Sequence, residues 1–589
     1  MRSRCLGARG KSRQLGAIVH AVTCVVMCAS SAQAQNSYIN SSNDWNPCRP
    51  VNGDHFVYFN AGDLSDPSRG YNVSQFRAAL IRAIAVWNEE SLSGQRMIFM
   101  GDGIAAGNPT NINVNHVFKR SCAVGSIYDG LAITLNPSGG GSGGTCSNST
   151  SITVHLTNCS QQELRYSAGL PGSMEYSYEA VLIHELGHAA FGFPDLLTAS
   201  QGVMSYCNSP SPPYTMGTCG GIPPGPVGDR LHLHRIDQQT AVDYFGSATT
   251  AGRSRVLSST NSWLGAESVF QPTTTFGPSL TTRLTGGPTN GVLIGSTNTA
   301  LTFSFHTGSP GSWAPFTSFY ITPSAVSSGV SVRPWISIAK SSWDELAAAW
   351  MECTSLTVCN VRTAWRASTG SWQVSPVTIA MPVTEQVEIE YDPDMDYFVM
   401  FSIHPDGRIF QSYEAAWQAN NWTTPIPLDG YNGYNSDRRF RTMGGVVFYQ
   451  HPGTARGDFH GRLFAASSTP VNGATSPIMA FDIGYDNSTF QYRTSALFFP
   501  GPAGQENQYN TIRNFSVRRE SSSNVVVAAW TDDQFQSHIR VARTPNSWFS
   551  PLGSTASLST TSSEPVHSSV SLANITDNSS QFVVGWSSR

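Results

Sequence analysis

Tryptophans at Trp263, Trp313, Trp372, Trp422 and Trp548, separated by 50, 59, 50 and 126 residues, constrain this 589-residue chain more than any other feature. Two passages show the unit around them. "WISIAKSSWDELAAAW" with "VRTAWRASTGSWQVSP", and "FSVRRESSSNVVVAAW" with "IRVARTPNSWFSPLG", each read as four short strands. Trp350 and Trp530 end the second strand, and Trp372 and Trp548 stand in the turn before the fourth. The longest gap covers two periods, across a unit near Leu463 to Pro477 that lacks the turn tryptophan. A lone four-stranded unit cannot bury both of its faces, so such units must stack, and the arrangement predicted is a β-propeller. "SRVLSSTNSWLG" resembles the back half of a unit and "HSSVSLANITDNSSQFVVGW" a front half with nothing after it. One blade is therefore expected to be completed from both ends of the region, giving six blades over 248–589.

Composition suits a β-rich, exported chain. Charged residues are only 13%, while hydrophobic residues reach 40%, ample for buried cores. A net charge of -4 gives no footprint for nucleic acid. Basic residues from Arg2 to Arg13 precede the apolar run "LGAIVHAVTCVVMC", and "AQA" supplies small residues for cleavage. This pattern predicts a signal peptide over 1–34 and a secreted, extracellular mature chain, with no membrane span. Outside that segment lie eight cysteines, Cys48, Cys122, Cys146, Cys159, Cys207, Cys219, Cys353 and Cys359, which read as four disulfides in an oxidising compartment. The last two bracket the hairpin after Trp350 and are expected to pair locally.

Between the signal and the repeat, the pattern changes to mixed α and β. "HFVYFN" alternates as a strand. "SQFRAALIRAIAVWNEE" sets Phe76, Leu80, Ala83 and Trp87 on one helical face, with Ser74 as the expected N-cap. Strands are expected at "RMIFM", "INVNHVF", "LAITLN" and "SITVHLTN", then a helix from about Met174 through "YEAVLIHELGHAAF", and a closing helix in "LHRIDQQTAVDYFG". The fold class expected is thus multidomain: an α+β domain over 35–247, then the all-β propeller.

The second helix carries the chemistry, in "HELGHAAFGFPD". His184 and His188 are four residues apart, so both imidazoles leave one face and can bind one Zn²⁺, while Glu185 is placed as general base toward a water there. A catalytic zinc needs a third protein ligand and an open position. Gly192 can turn the chain, and Asp195 follows three residues later. His232 and His234 are rival ligands. Downstream, "GVMSYC" holds Met204 and Tyr206.

These residues resemble the metzincin clan of zinc endopeptidases, whose signature is the two-histidine helix, a turn glycine, a third ligand and a later Met-turn. The order of elements is similar to a matrixin catalytic domain, and "GFPD" resembles the snapalysins, with aspartate as third ligand. The resemblance implies a zinc endopeptidase with His184, His188 and Asp195 as metal ligands, Glu185 as general base and Tyr206 assisting at the oxyanion. It makes Met204 a packed floor, "LAITLN" the edge strand on which a peptide pairs, and Cys207–Cys219 a wall of the pocket. The implied metal is Zn²⁺; structural Ca²⁺ is also implied, with no residues assigned to it. One departure stands out. The family places the glycine three and the last ligand six residues after the second histidine; here the intervals are four and seven. A surplus residue rotates a regular helix by about 100°, so a π-bulge near Ala189 to Phe191 is expected to absorb it.

In the second half, "RASTGSW" resembles a reduced sialidase Asp-box, although no sialidase arginine set can be identified. The function expected is a secreted zinc-dependent endopeptidase acting on protein or peptide substrates, with the propeller binding a glycan or protein ligand. The alternative is a propeller-based adhesion or glycan-binding protein with a vestigial zinc domain, against which the retention of Glu185 beside both histidines argues.

Overall fold

A computed structural model of the chain describes most of residues 53–118 and 148–193, the strand 132–135, residues 203–204, most of 231–246, and most strands and tight turns of 251–588. The signal segment, Asp195, Tyr206, His232, His234, Trp548 and every cysteine between Cys48 and Cys219 lie outside the described residues. Among the described residues no helix is long and apolar enough to cross a membrane.

The first region folds around a five-stranded sheet. Its strands are β1 (Asp54–Asn60), β2 (Arg96–Asp102), β3 (Asn111–Val117), β4 (Ala132–Leu135) and β5 (Thr150–His155), in the order β2-β1-β3-β5-β4. All neighbours are parallel except β4, which runs antiparallel to β5 along one edge. Alternation decides β1: His55, Val57 and Phe59 are buried, while their neighbours are half-buried. Helix α1 (Val73–Glu90) follows β1. Its cap is Asn72, whose side chain accepts from the Gln75 amide; Ser74, expected in that role, lies in the first turn and its hydroxyl bonds Asn72 instead. Phe76, Leu80, Ala83 and Trp87 are all buried, as the helical spacing requires.

Two-residue strands β6 (Tyr166–Ser167) and β7 (Tyr176–Ser177) pair in parallel just before helix α2 (Tyr178–Leu186). That pairing sets the helix start at Tyr178, later than the Met174 expected, and the Ser177 hydroxyl caps it by accepting from Ala180 N at 3.2 Å. The helix then widens to a π turn over Gly187–Phe191 and stops at Gly192, whose φ of 72° is left-handed. Helix α3 (Arg235–Phe245) closes the region. One apolar core joins α1, the sheet, α2, the π turn, Met204 and α3.

Three buried polar side chains, Arg82, Glu179 and His116, tie the elements of this core together. Arg82 of α1 and Glu179 of α2, both with fully buried side chains, meet through guanidinium contacts of 2.9 and 2.8 Å. His116 of β3 lies between the Asn60 carbonyl, 2.7 Å from Nδ1, and the Tyr178 hydroxyl, 2.6 Å from Nε2. A carbonyl only accepts, so Nδ1 carries the proton and Nε2 accepts from Tyr178. Burial lowers the His116 pKa to about 4. The unfolded chain therefore binds a proton between pH ~6.5 and ~4 that the folded chain refuses, and stability falls as pH drops through that window, by roughly 3 kcal/mol. Above pH ~6.5 the imidazole is neutral in both states and contributes no pH dependence. NMR of histidine-labelled protein should place the His116 midpoint near 4; a midpoint near 6.5 would contradict the burial argument.

From Ala251 onward the described residues form six four-stranded antiparallel sheets. Blade 1 spans Phe276 to Ile321, blade 2 Ser331 to Val374, blade 3 Val387 to Pro427, blade 4 Phe440 to Arg493 and blade 5 Phe515 to Ser559. Blade 6 takes Val566–Asn574 and Phe582–Ser588 from the far end and Ala251–Leu257 and Trp263–Gln271 from the near end. The first strand of each blade packs beside the first strand of the next around the ring, blade 6 returning to blade 1. The protein is mostly β, and this part of it is a propeller.

The described turn tryptophans share one role, pinning each blade to the preceding one. Trp263 stacks on Trp586 of its own blade and donates to the Ser559 carbonyl of blade 5 at 2.9 Å. Trp313 donates to the Ser254 hydroxyl of blade 6, Trp372 packs edge-on to Phe303 of blade 1, and Trp422 joins a core with Ala347 and Ala349 of blade 2. Cys353 and Cys359 face each other in register across the hairpin of blade 2.

Candidate metal centre

The His-Glu helix is fixed from below before it offers any ligand. Trp87 of α1 donates to the Ile183 carbonyl at 2.8 Å, and its ring stacks on Phe191 at 4.4 Å between centroids. Gly187, between the two histidines, is where Met204 comes in: a Cβ there would collide with the Met204 sulfur and lie 2.9 Å from the Trp87 ring. Met204 is fully buried in this floor. Its neighbour Val203 donates from its amide to the buried Asp237 of α3 at 3.0 Å, so the closing helix holds the floor in place.

On that floor the histidines converge. Their Nε2 atoms are 3.0 Å apart, with ring planes at 87°. The Nδ1 of His184 faces the Val203 carbonyl at 2.9 Å, and the Nδ1 of His188 faces the Phe193 carbonyl at 2.5 Å. Because carbonyls accept and never donate, each Nδ1 holds the proton and each Nε2 turns a lone pair toward the other. Two lone pairs at this distance repel unless a cation lies against both. Nitrogens each about 2.0–2.1 Å from one tetrahedral zinc would be separated by about 3.3 Å, close to what is found. The backbone carbonyls behind the rings are the outer contacts that orient metal-binding histidines. The donor chemistry fits Zn²⁺.

The π turn explains how the second carbonyl arrives. Gly192 N bonds back to both Gly187 and His188 carbonyls, and Phe193 N returns to the Gly187 carbonyl at 3.2 Å. The surplus residue of the motif is absorbed there, and Phe193 O is thereby aimed at His188. Asp195, the third ligand expected, and Tyr206 lie outside the described residues, as do the rivals His232 and His234. Among the described residues no group of three His, Cys, Asp or Glu side chains is close enough to hold a metal.

Glu185 is buried, and one residue that sequence reasoning missed touches it. Thr134, on the edge strand β4, donates its hydroxyl to Glu185 Oε2 at 2.5 Å. The signal that could have found it is the strand's face: Thr134 pairs with Ile152 of β5, and that register decides which side chains of β4 face α2. A hydrogen bond to an ionised group is worth about 1.5–3 kcal/mol. Should Glu185 serve as a general base, Thr134→Val, which keeps the branched shape and removes the donor, would lower kcat roughly tenfold or more, with zinc content and KM unchanged. Thr134→Ser should restore most of the rate. Equal activity in all three proteins would show that the bond does not position Glu185.

No protein-family model matches the chain, and no curated protein matches it. Among solved structures, the BP39L lectin of Burkholderia pseudomallei is similar at 13% identity and TM-score 0.34, over 57% of this chain and 92% of that one. The six-bladed Aleuria aurantia lectin, described with a fucose recognition mode, is similar at 10% identity and TM-score 0.33, over 51% and 86%. An α-L-arabinanase of Penicillium chrysogenum, complexed with arabinobiose, is similar at 11% identity and TM-score 0.32, over 53% and 92%. Likeness at this depth says nothing about ligand or activity.

Proposed function

We propose that the chain is a secreted zinc-dependent endopeptidase of metzincin type, whose propeller binds a glycan or protein that brings substrate near. The single observation that supports the enzymatic half is the facing pair of Nε2 lone pairs, 3.0 Å apart, each enforced by a carbonyl on the far side of its ring. His184 and His188 would hold the metal, with Asp195 proposed as the third ligand. Zinc, when bound, supplies Lewis-acid polarisation of a carbonyl and a more acidic water. Glu185, held by Thr134, would take the proton from the attacking water and pass it toward the departing amine. The outer edge of β4 is free of a strand partner among the described residues, so an extended peptide could add there as a further strand. The Tyr206 hydroxyl is proposed to donate to the developing oxyanion.

The second reading is a glycan-binding propeller with a vestigial zinc domain. The intact Glu185, with its own hydrogen-bond donor, favours a working site over that reading. Digestion of casein or gelatin by the full chain separates the two. The proposal expects cleavage that a zinc chelator abolishes and added zinc restores; a zinc-loaded chain that cleaves neither substrate contradicts it.

A further inference from the structure

The axis of the propeller carries a charged cluster that the peptidase reading does not use. Glu388 and Glu390 sit two apart on the first strand of blade 3 (Val387–Asp392), so both leave the same face, while Val387 and Ile389 are buried on the other. Opposite them is Arg518, from the first strand of blade 5 (Phe515–Arg519). Blade 4 lies between, and its first strand gives way to let the arginine cross. That strand bulges between Met443 and Gly445, and Gly445 has a φ of 123°. A Cβ on Gly445 would stand 2.6 Å from Arg518 Nη1.

The cluster is not closed on itself. Arg518 Nη1 is 3.7 Å from Glu390 Oε2, too long for a hydrogen bond. Nη1 donates instead to the Val517 carbonyl at 3.0 Å, and no other nitrogen of the guanidinium is hydrogen-bonded among the described residues. Among the described residues Glu390 accepts from the adjacent Tyr391 amide alone, at 3.3 Å on its other oxygen. Side-chain exposures of 14% for Arg518 and 22% for Glu390 show that water reaches this gap. Glu388 is better held: Ser337 of blade 2 donates to one oxygen at 3.0 Å and Gln386 to the other at 3.1 Å. Gln386 is itself locked by Thr442 and the Met443 amide of blade 4. Burial raises the Glu388 pKa to about 7 despite Arg518 nearby.

Charge decides what fits. The guanidinium offsets one carboxylate and burial pushes Glu388 toward its neutral form, so the cluster has little net charge with which to hold either a metal cation or an anion. A neutral ligand with several hydroxyls needs no net charge, because one hydroxyl can donate to Glu390 while accepting from Arg518 across the 3.7 Å gap. We infer that the axial cluster of Glu388, Glu390 and Arg518 is a binding site for a neutral glycan. The inference rests on reading the propeller as the partner-binding half and is independent of the zinc chemistry.

The test uses the full chain carrying Glu185→Ala, applied to an array of neutral and acidic oligosaccharides, then titrated calorimetrically with the strongest neutral one. Expected is retention of neutral glycans, with affinity lowered at least tenfold by Glu390→Gln and by Arg518→Met. Each substitution leaves an opposite charge less compensated in an enclosed place, so melting temperature and circular dichroism are read on both variants to confirm that the fold persists. Two variants on opposite walls guard against one that fails to fold. Neutral glycan binding undiminished in both variants would overturn the axial site and leave a glycan-binding propeller standing. Capture of no neutral glycan would overturn both.

Discussion

Replacing Glu185 by alanine should leave one zinc per chain and lower proteolysis by about 10³-fold, within the usual range for losing a general base. The two effects separate because Glu185 is not one of the converging nitrogens. His184 and His188 are oriented by the Val203 and Phe193 carbonyls, and neither contact involves the Glu185 side chain. The carboxylate is held from the other side, by Thr134. Removing it would therefore take away the proposed proton acceptor and leave the donor set intact. Zinc content by mass spectrometry and casein hydrolysis, measured on one preparation, check both halves. Zinc-loaded E185A protein with undiminished cleavage would remove the mechanism.

Arg82→Leu should destabilise the first region by about 3–5 kcal/mol, the usual effect of stranding one member of a buried ion pair. With no exposure of either side chain, Glu179 would lose its guanidinium partner inside the core, or be forced to take a proton at a similar cost. The pair joins α1 to α2, so the loss should appear where those helices meet. Hydrogen exchange of peptides covering 73–90 and 178–186 should speed up accordingly. The double variant Arg82→Leu with Glu179→Leu should recover most of the protection, because two apolar side chains fill the place without a stranded charge. Unchanged exchange in the single variant would mean that the pair contributes nothing net.

What the sequence made legible was periodic or local. The turn tryptophans repeat because, in the four blades where they are described, each meets the blade before it, so one kind of packing is written several times along the chain. Residues 254–265 and 567–586 read as half-units for the same reason, and both lie in blade 6. The π turn was legible from an interval of four residues between His188 and Gly192, since in a regular helix that surplus residue would rotate the exit turn by about 100°.

Contacts between distant residues were not legible. Arg82 and Glu179 are 97 residues apart, and nothing at either position marks the other. Thr134 reads as an ordinary strand residue until its register with β5 is known. The start of α2 was misplaced because Tyr176 pairs with Tyr166 as a strand, a non-local choice that overrides helix propensity. Asn72 displaced Ser74 as cap for a smaller reason: both are good caps two residues apart, and only the chain's entry direction selects between them. At the propeller axis, Arg518 reaches Glu390 by passing over blade 4, a meeting that no repeat pattern announces.

The central claim is that His184 and His188 hold a catalytic zinc, and zinc stoichiometry of the full chain tests it most directly. After dialysis against zinc and then against metal-free buffer, the wild-type protein should retain one zinc per chain, and the His184→Ala, His188→Ala double variant should retain none while its propeller stays folded. A wild-type chain that keeps no zinc, or a double variant that keeps as much as the wild type, would contradict the account.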